Sequence, residues 1–189
     1  MKRVFLTLCV VLVFVTSCNT RKEAATSKTQ SSVQKSPFSL SVVPETSHGE
    51  PFGSSIEMAY DKPRDFYVVL TNVSPEPQAV WETWNSWGYQ TISFELTTAD
   101  GKKSLISVRQ QEFTRNFPST FLIEPSERQV YAIRLDKEWE THPALPNVAE
   151  TSITVKIIYE VGPTPEAAQY KVWTGRIGSR SYKLKLRQW

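Results

Sequence analysis

The residues of this chain that could do chemistry are two histidines, a cluster of indoles and a run of cations near its end. His48 and His142 each lie in a proline-rich stretch. Neither belongs to a His-Glu-x-x-His helix, a Gly-x-Ser-x-Gly elbow or a Cys/His zinc spacing, so the order of residues shows no catalytic or metal-ligating constellation. Glu138 and Glu140 form a carboxylate pair only in principle, because they flank Trp139 in a polar loop where solvated charges are the plainer reading. Gly101-Lys102-Lys103-Ser104 has the tail of a phosphate loop, but Leu96 stands where the upstream glycine belongs and no helix follows. A hairpin turn is expected there instead. No catalysis, no metal and no cofactor are expected of this chain. A hydrolase site assembled from distant residues, with His48 or His142 in it, is the competing enzymatic reading.

Aromatic density is the unusual feature. Trp81, Trp84, Trp87 and Tyr89 fall within one short stretch, with Trp139 and Trp173 elsewhere. An indole is flat and polarisable with a single donor, so it suits a β core and equally the apolar face of a sugar. On an extended strand positions 81 and 84 point to opposite faces. The rings share a surface only if the strand breaks near Asn85-Ser86, which those turn-prone residues permit. Two readings stay open: core or rim packing, and a ligand-facing cluster of Trp84, Trp87 and Tyr89. The cations Arg176, Arg180, Lys183, Lys185 and Arg187, with no acid after Glu166, read either as an edge strand guarded by charge or as a face for an anionic polymer or lipid.

The elements that must carry these residues are strands. All 12 prolines lie at or after Pro37 and fall between the apolar runs. Proline cannot donate to a sheet ladder, so this spacing is punctuation. The expected strands are Phe38–Val43, Ile56–Tyr60, Phe66–Thr71, Ala79–Trp84, Thr91–Thr97, Ser104–Arg109, Thr120–Ile123, Gln129–Leu135, Ser152–Glu160, Val172–Gly178 and Tyr182–Arg187. In Thr91–Thr97 the residues Ile92, Phe94 and Leu96 share one face, a period of two rather than 3.6. Asp100-Gly101 between two such runs signals a hairpin. Helix is limited to single turns, one capped by Asp136 through Trp139 and one at Pro165–Gln169. Many short strands with turn signals between them predict an all-β chain folded as a β-sandwich.

Charge separates the chain into parts. From Pro37 onward 16 cations face 18 acids, so no global basic patch for nucleic acid is present. Residues 19–36 are Ser, Thr, Lys, Gln and Ala with little that is apolar, a composition expected to give a flexible tether. Ahead of it, Lys2 and Arg3 precede an apolar run from Val4 to Val15, too short for a spanning helix of roughly 20 residues. This is the pattern of a secretory signal. Cys9 lies within that run and Cys18 just after it, so the expected folded part carries no disulfide.

Val15-Thr16-Ser17-Cys18 resembles the lipobox of bacterial lipoproteins: a branched aliphatic, two small residues and a cysteine. The resemblance implies cleavage before Cys18, diacylglycerol on its sulfur and an acylated new N-terminus. It divides the chain into a signal peptide (1–17), a lipidated cysteine with its tether (18–36) and a β-sandwich domain (37–189). It also implies a bacterial cell envelope, where the Asn72-Val73-Ser74 sequon would go unused. Asn19 is not the Asp that marks inner-membrane retention, which points to the outer membrane or the cell surface. A second likeness covers Phe66 to Leu135. Asn72-Val73-Ser74, Pro77, Asp100-Gly101-Lys102 and Leu122-Ile123-Glu124-Pro125-Ser126-Glu127 occur in an order that resembles bacterial extracytoplasmic immunoglobulin-like sandwiches, including proteinase-inhibitor-like domains. Those have Pro-Gly-Glu where Pro125-Ser126-Glu127 stands here, so the turn must be made without glycine. The expected function is a non-catalytic binding module held to a membrane by its N-terminal lipid, with a protein or glycan as partner. A glycan- or envelope-polymer-binding lipoprotein and a proteinase-inhibitor-like domain are the alternatives.

Overall fold

A computed structural model describes residues 36–43, 55–59, 65–140 and 153–187. All of them belong to one compact unit that begins at Lys35. The elements found there are β1 (Phe38–Val43), β2 (Ser55–Ala59), β3 (Asp65–Asn72), β4 (Gln78–Trp81), α1 (Ser86–Tyr89), β5 (Ile92–Thr97), β6 (Lys103–Ser107), β7 (Thr120–Ile123), β8 (Arg128–Arg134), β9 (Ile153–Val161), α2 (Pro165–Gln169) and β10 (Gly175–Arg187). The chain is all-β, as the alternation requires. Within β5, Ile92, Phe94 and Leu96 are buried while Ser93, Glu95 and Thr97 are half-buried on the other face. Gly101 supplies the left-handed turn residue (φ 83°) that lets β5 and β6 pair as a hairpin. Thr164 caps α2 by accepting from the Ala167 N–H at 3.1 Å, with Pro165 in the first turn.

The strands make a five-stranded sheet ordered β2-β10-β9-β5-β6, a three-stranded sheet β1-β3-β8 and a two-stranded pair β4-β7. Every pairing is antiparallel except that of β10 with β2. The inner faces of the two larger sheets meet across one apolar core. Phe66 of β3 stands edge-on to Phe94 of β5 with ring centroids 5.5 Å apart, and Phe38 of β1 to Tyr159 of β9 at 6.5 Å. At one margin the Val42 N–H donates to the Tyr182 hydroxyl of β10 at 3.1 Å.

Asn72, at the end of β3, is wholly buried. Its amide nitrogen donates to the carbonyls of Glu76 and Ile123 at 2.7 and 2.9 Å. Its oxygen accepts from the Ser74 N–H and hydroxyl at 2.9 and 2.7 Å. Its backbone carbonyl takes the Ser126 N–H at 2.9 Å, and Ser126 itself adopts φ 67°, which is how this turn is made without glycine. The apparent sequon is therefore a structural knot.

Three expectations are corrected. Val172–Gly178 and Tyr182–Arg187 are not separate strands: Gly175–Arg187 is one 13-residue strand with a bulge between Gly178 and Ser181. That strand is not an edge, since β2 and β9 flank it. Arg176, Arg180 and Lys183 are exposed on it, and the Arg176 Nε lies 3.1 Å from a Glu160 oxygen. Residues 136–139 make a hydrogen-bonded turn rather than helix, ending in a bridge between Trp139 and Val108. His48, His142, Cys18, the signal peptide and most of the tether lie outside the described residues.

Tyr131 of β8 and Tyr159 of β9 face each other in the core with ring centroids 6.4 Å apart. Neither hydroxyl meets hydrogen-bond geometry with any described group, although the two are close enough to perturb each other. Burial lifts both phenols above the ordinary tyrosine value of 10.0. A raised folded value means the neutral form is preferred in the native state. Stability is then fully present below about pH 10 and is lost as pH rises beyond it. The double substitution Tyr131→Phe/Tyr159→Phe should flatten that alkaline loss. At neutral pH each single change should be neutral or stabilising, since an unpaired buried hydroxyl costs about 1–3 kcal/mol. Urea midpoints at neutral pH and above pH 10 test both; a large loss at neutral pH would mean that the hydroxyls are hydrogen-bonded.

Candidate functional site

The aromatic cluster is organised by one asparagine. β4 ends at Trp81, short of the expected Trp84, and the chain then turns so that Asn85 is completely buried. The Asn85 side-chain oxygen accepts from the Trp87 and Gly88 N–H groups at 3.1 and 3.0 Å and so caps α1. Its amide nitrogen donates to the Ser119 carbonyl at 3.2 Å, which already accepts from the Glu82 N–H at 3.0 Å. Gly88 is needed for the close approach: a Cβ there would fall 2.1 Å from the Glu82 carbonyl oxygen. The strand break near Asn85-Ser86 therefore exists, fastened to the 116–119 loop. Ser86 and Asn116 complete the clasp, each bonding the other, at 3.0 and 2.8 Å.

This turn distributes the rings among three environments. Trp84 is 44% exposed and meets Phe117, 57% exposed, at 4.8 Å in an edge-on pair. Trp87 is half-buried against Trp81, which is itself buried between Trp87 at 6.0 Å and Tyr170 at 5.7 Å. Tyr89 is half-buried, edge-on to Phe113 at 5.5 Å, and lines a cavity. Of the expected trio, only Trp84 is exposed. Trp139 and Trp173 are packing residues, on Phe94 and on Tyr159 respectively. Phe117 was missed from the order of residues; its one signal was a bulky apolar residue between Asn116 and Pro118, in a stretch with turn composition.

The cavity, of about 430 Å³, lies between β8 and the residues around α1, β5 and Trp139. Burial first, then the charges of Glu138 and Asp136, hold the Tyr89 phenol above its ordinary value of 10.0. Glu138 and Glu140 are exposed on either side of buried Trp139, and Glu140 accepts from the Ser107 hydroxyl at 3.3 Å. Among the described residues no cluster of His, Cys, Asp and Glu could hold a metal, and no helix is long and apolar enough to cross a membrane.

No family model matches this chain, and no curated protein is similar to it. Among solved structures, the sporulation control protein Spo0M of Bacillus subtilis is similar, with 12% identity and a TM-score of 0.37 over 80% of this chain. The chain spans half of that protein's length (50%).

Substitutions should separate scaffold from surface in the cluster. Trp81→Ala empties a core position and should cost about 3–5 kcal/mol. Asn85→Ala removes a cap and leaves buried donors unpaired, for about 1–3 kcal/mol. Trp84→Ala should cost less than about 1 kcal/mol. Denaturant midpoints of the three variants give the order; equal losses at Trp81 and Trp84 would make the whole cluster core.

Proposed function

We propose that this protein is a lipid-anchored cell-envelope protein whose immunoglobulin-like β-sandwich acts as a non-catalytic binding module. The observation that carries the reading is the exposed Trp84–Phe117 pair on two clasped loops. Two large apolar rings in water on a fastened support lose little side-chain freedom on binding, which is the usual economy of an aromatic anchor. The facing of the two larger sheets across one core supports the sandwich. The Val15–Cys18 pattern supports an anchor at Cys18, with the tether spacing the domain from the bilayer.

A glycan or envelope polymer is the second reading of the same surface. It is favoured by the polar side chains of Ser86 and Asn116, exposed beside the Trp84–Phe117 pair. Aromatic faces flanked by hydroxyl and amide groups suit a sugar ring.

The anchor and the surface are tested separately. Cys18→Ser should yield unprocessed or released protein that takes up no labelled fatty acid, whereas wild type sediments with membranes. Soluble wild-type protein without label would end the lipoprotein reading. The double variant Trp84→Ala/Phe117→Ala should keep its denaturant midpoint within about 1 kcal/mol per site and lose the partners crosslinked to wild type in native membranes. Quenching of indole fluorescence by soluble cell-wall fragments, lost in the same variant, would select the glycan reading.

A further inference from the structure

β8 is the last strand of its sheet: β3 pairs with one side of it, and among the described residues no strand pairs with the other. The parity of the ladder identifies the backbone groups on the open side. The Asn72 N–H bonds the Glu127 carbonyl at 3.1 Å, and from there the register turns Gln129, Tyr131 and Ile133 toward β3 and Val130 and Ala132 away from it. The Val130 carbonyl obeys that parity, since it accepts from the Gln129 Nε2 at 3.3 Å rather than from β3. The N–H of Val130 and both backbone groups of Ala132 thus line the open edge.

The 430 Å³ cavity adjoins this edge, a volume within the usual range for ligand sites. Ile133, Ile92, Val108, Tyr89 and Trp139 give it aromatic and aliphatic walls. Tyr131 also lines it, with its ring facing Tyr159 in the core. Asp136 and Glu138 are its carboxylates, while Arg134, the cation on its lining, has a partner of its own. The negative field acts within the cavity, because both carboxylates oppose ionisation of Tyr89.

We propose that the open edge of β8 and the adjoining cavity bind an extended peptide: its backbone pairs with Val130 and Ala132, one apolar side chain enters the cavity, and a lysine or arginine meets Asp136 and Glu138. Strand addition supplies affinity through main-chain bonds and leaves specificity to the pocket and its charge. A second copy of this chain is a poor occupant. Self-pairing in the antiparallel register that opposes Val130 and Ala132 sets Arg128 of each copy against Arg134 of the other, and like charges directly opposite are destabilising. This inference is independent of the Trp84–Phe117 surface.

The test uses the full chain and synthetic peptides of about six residues, alternating Val or Phe with Thr. One carries a lysine, a second carries glutamate in its place, and a third repeats the first with N-methylated alternate residues. The lysine peptide should shift the amide resonances of Val130 and Ala132 and change Trp139 fluorescence. It should bind about tenfold more tightly than the glutamate or N-methylated peptides. Ala132→Pro removes an N–H that the β3 ladder does not use, so the fold should survive while the peptide is lost. If that variant fails to fold, the N-methylated peptide on wild type gives the same answer. Equal binding of the N-methylated peptide, preference for glutamate, or no binding of the lysine peptide overturns the proposal. So does peptide-free dimerisation abolished by Ala132→Pro, which would assign the edge to a second copy.

Discussion

The buried amide of Asn72 is the fastening on which the arrangement of sheets depends. It sits where β3 of the three-stranded sheet, β7 of the two-stranded pair and the turn into β8 converge: its side chain bonds Ser74, Glu76 and Ile123, and its backbone bonds Ser126 and Glu127. A buried amide of this kind is worth having only when all of its bonds are made, because a half-satisfied one costs more than an apolar residue. The two cysteines, Cys9 and Cys18, both precede β1, so nothing covalent closes the described strands on one another. Burial supplies the magnitude of stability. Asn72 supplies a geometry that burial alone leaves loose.

Asn85 repeats that solution at the opposite end of β4. It too is wholly buried and joins a helix cap to a remote loop carbonyl. Asn72 holds strands together, whereas Asn85 holds out side chains: the loop it fastens carries Trp84, and the loop it is fastened to carries Phe117. The molecule thus separates two kinds of recognition. An aromatic pair stands on loops, and an unpaired backbone edge with a pocket stands on β8. On the outer face of the five-stranded sheet Glu95, Lys103, Arg176 and Glu160 form mutual ion pairs. Exposed pairs of this type add little stability but keep a flat sheet wet.

Strands such as β1, β5 and β8 were legible because each has one dry face. In β5 and in Tyr182–Leu184 of β10 the alternation is visible in the order of residues and recurs in the burial. The turn at α2 was legible as Pro165–Gln169, because the chemistry of a proline in a first turn is local. What escaped was set by partners distant in sequence. α1 has no helical periodicity; it exists because Asn85 caps it and Gly88 can touch the Glu82 carbonyl. The basic strand looked like an edge because charge is how edges are guarded, yet lateral position in a sheet is a matter of tertiary pairing and leaves no local mark. In the aromatic cluster the break at Asn85 could be anticipated. The partners Phe117 and Phe113 could not, since the loop that brings them to Trp84 and Tyr89 is about 30 residues away along the chain.

β10 also governs the order in which the chain can assemble. It lies inside the five-stranded sheet, pairing with β9 from Gly175 to Leu184 and with β2, more than a hundred residues earlier, in the one parallel strand pairing among the described residues. β1, β3 and β8 can collapse around the Asn72 turn without it, but β2 has no described neighbour until β10 arrives. Loop closure over such a separation is entropically slow, and the hydrophobic side of the sheet stays open meanwhile. The rate-limiting event of folding should therefore be the insertion of β10 between two waiting strands. Until then β9 should present an unpaired backbone edge to whatever chaperone or neighbour meets it first.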